Sequence, residues 1–195
     1  MAGNFDAAIH DMDKAVELNP HDADSYWERG ACYAHKLSNL KNINKNEKKV
    51  SLDRILKEYK RSVEKNPINP EAWLAILETD MLLHDWDNAI GHYGDCKPYI
   101  NYREHQLVRS WLGCLSLVFA DDPLEEEDKD PLYDNSIRLR RTHWCVSEID
   151  SLLIELAAEG FDKYKMDMAK EIHQRFLDHF SEAPIRFKVQ SHDNV

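Results

Sequence analysis

Apolar residues recur along this chain at steps of three and four, the spacing that lines one face of an α-helix. From Gly3 to Pro20 the stripe is Phe5, Ala8, Met12 and Ala15. From Ser51 to Pro67 it is Leu52, Ile55, Tyr59 and Ser62, and from Asp85 to Pro98 it is Trp86, Ala89, Tyr93 and Cys96. Each stretch closes on a proline, which lacks an amide hydrogen and restricts the residue before it. The small residues in each stripe let a neighbouring helix approach closely. Two further helices are expected between these three: His21 to Leu37, with Tyr26, Trp27, Gly30 and Tyr33, and Pro70 to Asp85, with Trp73, Ile76 and Leu77.

The order and phase of these segments resemble the tetratricopeptide repeat (TPR) family. GNFDAAIHDMDKAVELNP, SLDRILKEYKRSVEKNP and DWDNAIGHYGDCKP are similar to the second helix of a TPR hairpin, and YWERGACYA to its first helix. Asp80 departs from the pattern, standing where the family has a Tyr, so it must face water or find a partner. The helical repeats of prenyltransferase alpha subunits are a poorer match, because their paired Arg after the Trp is missing from YWERG and AWLAI. The resemblance covers about residues 3 to 98. It implies an all-α fold: a short right-handed α-solenoid of helical hairpins with a divergent helical C-terminal half.

The spacing requires one insertion. Pro20 and Pro67 lie 47 residues apart, whereas a TPR repeat has about 34. The excess falls at SNLKNINKNEKKV, Ser38 to Val50, which is rich in Asn and Lys and reads as a flexible loop. The expected organisation is therefore TPR-like repeats over 1–98, with the first repeat lacking its first helix and a flexible insertion at 38–50. A divergent extension or cap follows over 99–183, with an acidic loop at 121–134, and then a loosely ordered tail at 184–195. Starting inside a repeat suggests a piece of a longer array, or a lone helix that caps the next pair.

The second half is helical by the same criterion. Asn101 to Ala120 is apolar all round, which marks a central packing helix. Asp121 to Asp130, an acidic run bracketed by Pro123 and Pro131, reads as an exposed loop. Asn135 to Glu159 reads as one long helix with Ile149, Leu152, Leu153 and Leu156 in its stripe, stopped by Gly160. Phe161 to Phe180 reads as another, with Tyr164, Met168, Ile172, Phe176 and Phe180 at steps of four. The two form a hairpin able to cover the end of a solenoid.

Charge sharpens the picture. The chain of 195 residues has a net charge of −11, which argues against nucleic acid as a main partner. Yet Lys36 to Lys65 holds ten Lys and Arg against four acids, leaving −17 for the rest. That stretch reads as a solvated face, with RNA or an acidic protein as the alternative contact. No apolar run is long enough for a membrane span, and no signal segment opens the sequence. Cys32, Cys96, Cys114 and Cys145 are scattered without a disulfide pattern. The expectation is a soluble cytoplasmic protein.

Catalytic motifs are lacking: no phosphate loop, dinucleotide fingerprint or nucleophile elbow is present. The pairs His92 with Cys96, Cys32 with His35, and His143 with Cys145 do not make the converging four-ligand set of a structural zinc site. The run from Asp121 to Asp130 lacks the central Gly and alternating carboxylates of a calcium loop. No cofactor, metal or enzymatic activity is expected.

The resemblance also implies where a partner binds, because the first helices of TPR hairpins line a concave face. The corresponding residues are Asp24, Trp27, Glu28, Ala31 and His35, then Glu71, Leu74, Glu78 and Met81. Their acidic character favours a basic or amphipathic segment. TPR clamps that hold chaperone C-terminal carboxylates use Lys, Asn and Arg; the matching positions here are Glu28, Glu71 and Ala75, so acidic chaperone tails should not bind. The expected function is a non-enzymatic adaptor or scaffold. The alternative is a structural subunit that docks within a larger complex or self-associates into a homo-oligomer through its ends.

Overall fold

A computed structural model describes residues 4–40, 42–139 and 146–180. Among these the chain is all-helical. It forms α1 (Phe5–Leu18), α2 (Ala23–Ser38), α3 (Lys45–Lys65), α4 (Pro70–Leu82), α5 (Trp86–Asp95), α6 (Arg103–Ala120), α7 (Glu126–Tyr133), α8 (Val146–Ala158) and α9 (Lys163–Leu177). Caps explain most boundaries. Asn4, Asp22, Asn44, Asn69, Asp85 and Asp162 each accept a backbone N–H at a helix start with their side chain. Gly160, at φ +79°, closes α8 with its N–H on Ala157 O and the Phe161 N–H on Leu156 O, the two bonds of a Schellman stop.

From α1 to α6 each helix packs on the next, and α4 also meets α6. α9 lies on α6, α7 and α8, and α8 touches α4. Two cores result. The larger joins α4, α5 and α6 to α7, α8 and α9 around Leu77, Leu112, Trp111 and Phe176. The Trp111 and Phe176 rings stack at 3.9 Å. The smaller joins α2, α3 and α4 around Leu52, Ile55, Tyr59 and Ile76.

Three expectations for local structure are corrected. The stretch 38–50 is not a loop throughout, because Lys45 to Val50 forms the first turns of α3. An Asn44–Glu47 capping box starts that helix. Lys45 and Lys48 then reach Glu155 of α8 at 3.0 and 3.8 Å. The acidic segment is exposed at Asp121, Asp122 and Glu125 to Glu127, as expected, but Glu126 to Tyr133 is helical. At its start the Asp128 side chain accepts the Glu125 N–H at 3.0 Å. The long helix expected from Asn135 is not helical over 135–139, where Leu139 instead pairs in an isolated bridge with Phe180; α8 is described from Val146, and 140–145 lie outside the described residues. In α9 the inward face is Met166, Ala169, Ile172, His173 and Phe176, while Tyr164 is exposed. The expected tail also lies outside the described residues.

Candidate functional site

α2 and α4 hold every residue of the face expected to meet a partner, and they treat those residues differently. On α2, Asp24, Glu28 and His35 are exposed, while Trp27 and Ala31 are half-buried. Trp27 packs against the smaller core, and the neighbouring Tyr26 is buried with its hydroxyl donating to Pro20 O at 3.2 Å. The Trp27 flank therefore stays at the surface and Tyr26 does not. His35 is stacked by Phe5 of α1 at 6.2 Å.

Of the four expected residues on α4 only Glu71 remains accessible, 3.7 Å from His105 Nε2. Leu74 and Met81 have no exposure, and Glu78 is buried. Leu74 and Met81 belong to the larger core, and Met81 Sδ receives the Ser116 hydroxyl of α6. The assignment of Leu74, Glu78 and Met81 to an open groove is thus corrected: the accessible residues of the expected face are Asp24, Trp27, Glu28, Ala31 and His35 on α2 and Glu71 on α4. The physical reason lies in α4 itself, which is buried from Leu74 to Met81 on every side, as a helix in the middle of a bundle must be.

Asp80, the departure from the repeat pattern, has a partner. Its Oδ2 lies 2.6 Å from His92 Nδ1 of α5. Burial pushes its carboxyl above the usual range, against the opposing pull of the His92 hydrogen bond. Its Oδ1 has no hydrogen-bond partner among the described residues. This pair ties α4 to α5 inside the protein. Among the described residues no three His, Cys, Asp or Glu side chains are grouped to hold a metal ion. Cys96 is buried and donates to Tyr93 O at 3.4 Å. Cys114 is also buried, and desolvation pushes its thiol up to about 12, far from the thiolate a nucleophile requires. His143 and Cys145 lie outside the described residues.

A second surface was legible only as a count of charges. α2 and α3 leave between them a cavity of about 480 Å³. Arg29 forms its floor, with Nε and Nη2 donating to Glu58 Oε2 at 3.0 and 2.5 Å and Nη1 to Asp13 Oδ1 at 2.8 Å. Burial opposes the Arg29 charge, yet the two carboxylates outweigh it and raise its pKa further. Arg61 also reaches Glu58, at 3.3 Å. At the rim Arg54 lies over the Tyr33 ring at 5.3 Å, and Arg61 lies over the Tyr26 ring at 5.8 Å. Lys57 and Asp53 complete the lining.

Compared with protein-family models, curated proteins and solved structures, the chain matches none. Among the described residues no helix is long and apolar enough to cross a membrane.

Proposed function

We propose that this chain is a non-enzymatic adaptor of TPR type, in which the outer face of α2 receives a basic or amphipathic segment of another protein. The observation that carries the reading is the set Asp24, Trp27, Glu28 and Ala31: one half-buried aromatic flank and one small apolar step beside two exposed carboxylates. A half-buried Trp gives a rigid contact at low entropic cost, and the carboxylates select a cation. The stepwise packing of α1 through α6 supports the TPR reading.

Selection from a random peptide display library tests the reading. Sequences enriched on the wild-type chain should contain Lys or Arg beside an apolar residue. Trp27→Ala and Glu28→Lys should each lower their affinity roughly tenfold, with the fold intact by circular dichroism. Retention of those peptides by both variants would overturn the assignment.

A further inference from the structure

We infer that the basic cavity between α2 and α3 is a second docking site, which takes an extended acidic segment of a partner protein. It goes beyond the adaptor reading because it uses a different face of α2 and the opposite charge. At 3.6 residues per turn, Arg29 and Tyr33 point about 100° to 180° around the helix from Asp24 and Glu28.

The cations divide into two kinds. Arg29 is committed to the fold, held between Glu58 and Asp13 with little exposure. Arg54 and Lys57, one turn apart on α3, form no ion pair among the described residues. Arg54 is nevertheless held in place by Tyr33 beneath it. A guanidinium fixed on an aromatic ring retains its outward N–H groups for a carboxylate, with less side-chain freedom left to lose. The cavity thus presents oriented, unneutralised donors above a floor whose own charges are already matched.

The occupant is protein and not RNA for two reasons. Sequence-tolerant RNA binding needs aromatic faces free for base stacking, and the Tyr26 and Tyr33 faces already carry Arg61 and Arg54. The whole chain also carries −11, which repels a long phosphate backbone but allows a short carboxylate-bearing segment at a local basic site. Asp53 at the rim favours an occupant with spaced carboxylates over a block of continuous charge.

The test uses a short fluorescein-labelled peptide of alternating Glu and Ser, its Gln counterpart and a single-stranded oligouridine, read by fluorescence anisotropy. The Glu peptide should bind, the Gln peptide should not, and affinity should fall between about 50 and about 300 mM salt. R54E with K57E should reduce affinity at least roughly tenfold, leaving thermal stability unchanged. E28K should leave binding of this peptide intact, so failure here is separable from failure at the other face. No binding, equal binding of the Gln peptide, or an unaffected double variant would overturn the inference. Tighter binding of oligouridine would make the site an RNA contact instead. In sedimentation velocity without peptide the chain should not self-associate through this site; a dimer lost in the double variant would make a second copy the occupant and overturn the assignment to a separate partner.

Discussion

Trp27 and Trp111 mark the contrast between the two parts of this molecule. Trp111 is fully enclosed, stacked on Phe176 of a helix far along the chain. Trp27 covers the edge of a small core with one flank and faces water with the other. The same division separates α1 to α3 from α4 to α9. In the latter, the middles of α4 and α6 are buried on all sides and several polar groups join one helix to another, as in Tyr93 to Asp128 at 2.7 Å. In the former, the core is thin and charged side chains cover much of the surface. A helix enclosed by neighbours gives rigidity, and a helix with open flanks can meet a partner. On the proposed reading, the larger core is the support and the α2–α3 hairpin is the surface it holds out.

The largest expected effect sharpens this division directly. Trp111→Ala should destabilise by about 4 kcal/mol, the usual range for emptying an aromatic core site, while Trp27→Ala should cost only about 1–2 kcal/mol. Urea denaturation measures both, and equal losses would break the contrast. The two close-packed glycines come next. A Cβ on Gly113 would lie 2.2 Å from the Tyr93 ring, and one on Gly30 would lie 2.7 Å from the Tyr59 ring. Tyr93 is also pinned, by its hydroxyl on Asp128 and by Arg109 stacked 3.9 Å from its centroid. Gly113→Ala should thus cost about 3 kcal/mol and Gly30→Ala about half of that, again by urea denaturation. A larger loss at Gly30 would show that the smaller core is the tighter one.

The smallest expected effect concerns pH. The Asp80 carboxyl is raised in the folded state, so its protonated form favours folding. That contribution is fully present below the ordinary carboxyl value and is lost as pH rises through the folded value. Asp80→Asn, which mimics the protonated form and can still accept from His92, should be somewhat more stable than the wild type near about pH 7. The difference should shrink as pH falls toward about 4. Stability curves at both pH values check the sign, and a difference that grows on acidification would contradict it.

Much of the helical layout was legible in the sequence, for identifiable reasons. α1, α2, α4 and α6 have apolar steps of three and four, and cap residues or prolines set most of their ends, so their boundaries fell within a few residues. The first turns of α3 and all of α7 were not legible, because charge and capping hold them. The partners of Lys45 in particular, Glu155 and Glu159, come from the far end of the chain. Of the residues expected on a partner face, those on α2 are accessible and most of those on α4 are not. LAIL, from Leu74 to Leu77, is apolar on adjacent sides of the helix, and that signal of full enclosure competes with a phase that would open Leu74 and Met81 to solvent. The basic cavity appeared in sequence only as an excess of Lys and Arg. Its Arg–Tyr stacking joins residues from two helices, which spacing within either helix does not reveal.

The central claim is that α2 carries two independent faces of opposite preference on a rigid support. Titrating one selected basic peptide and the alternating Glu peptide into E28K and into R54E with K57E tests it most directly. The expected result is a double dissociation: E28K loses the basic peptide and keeps the acidic one, and the double variant does the reverse. Loss of both peptides in either variant, or of neither in both, would contradict it.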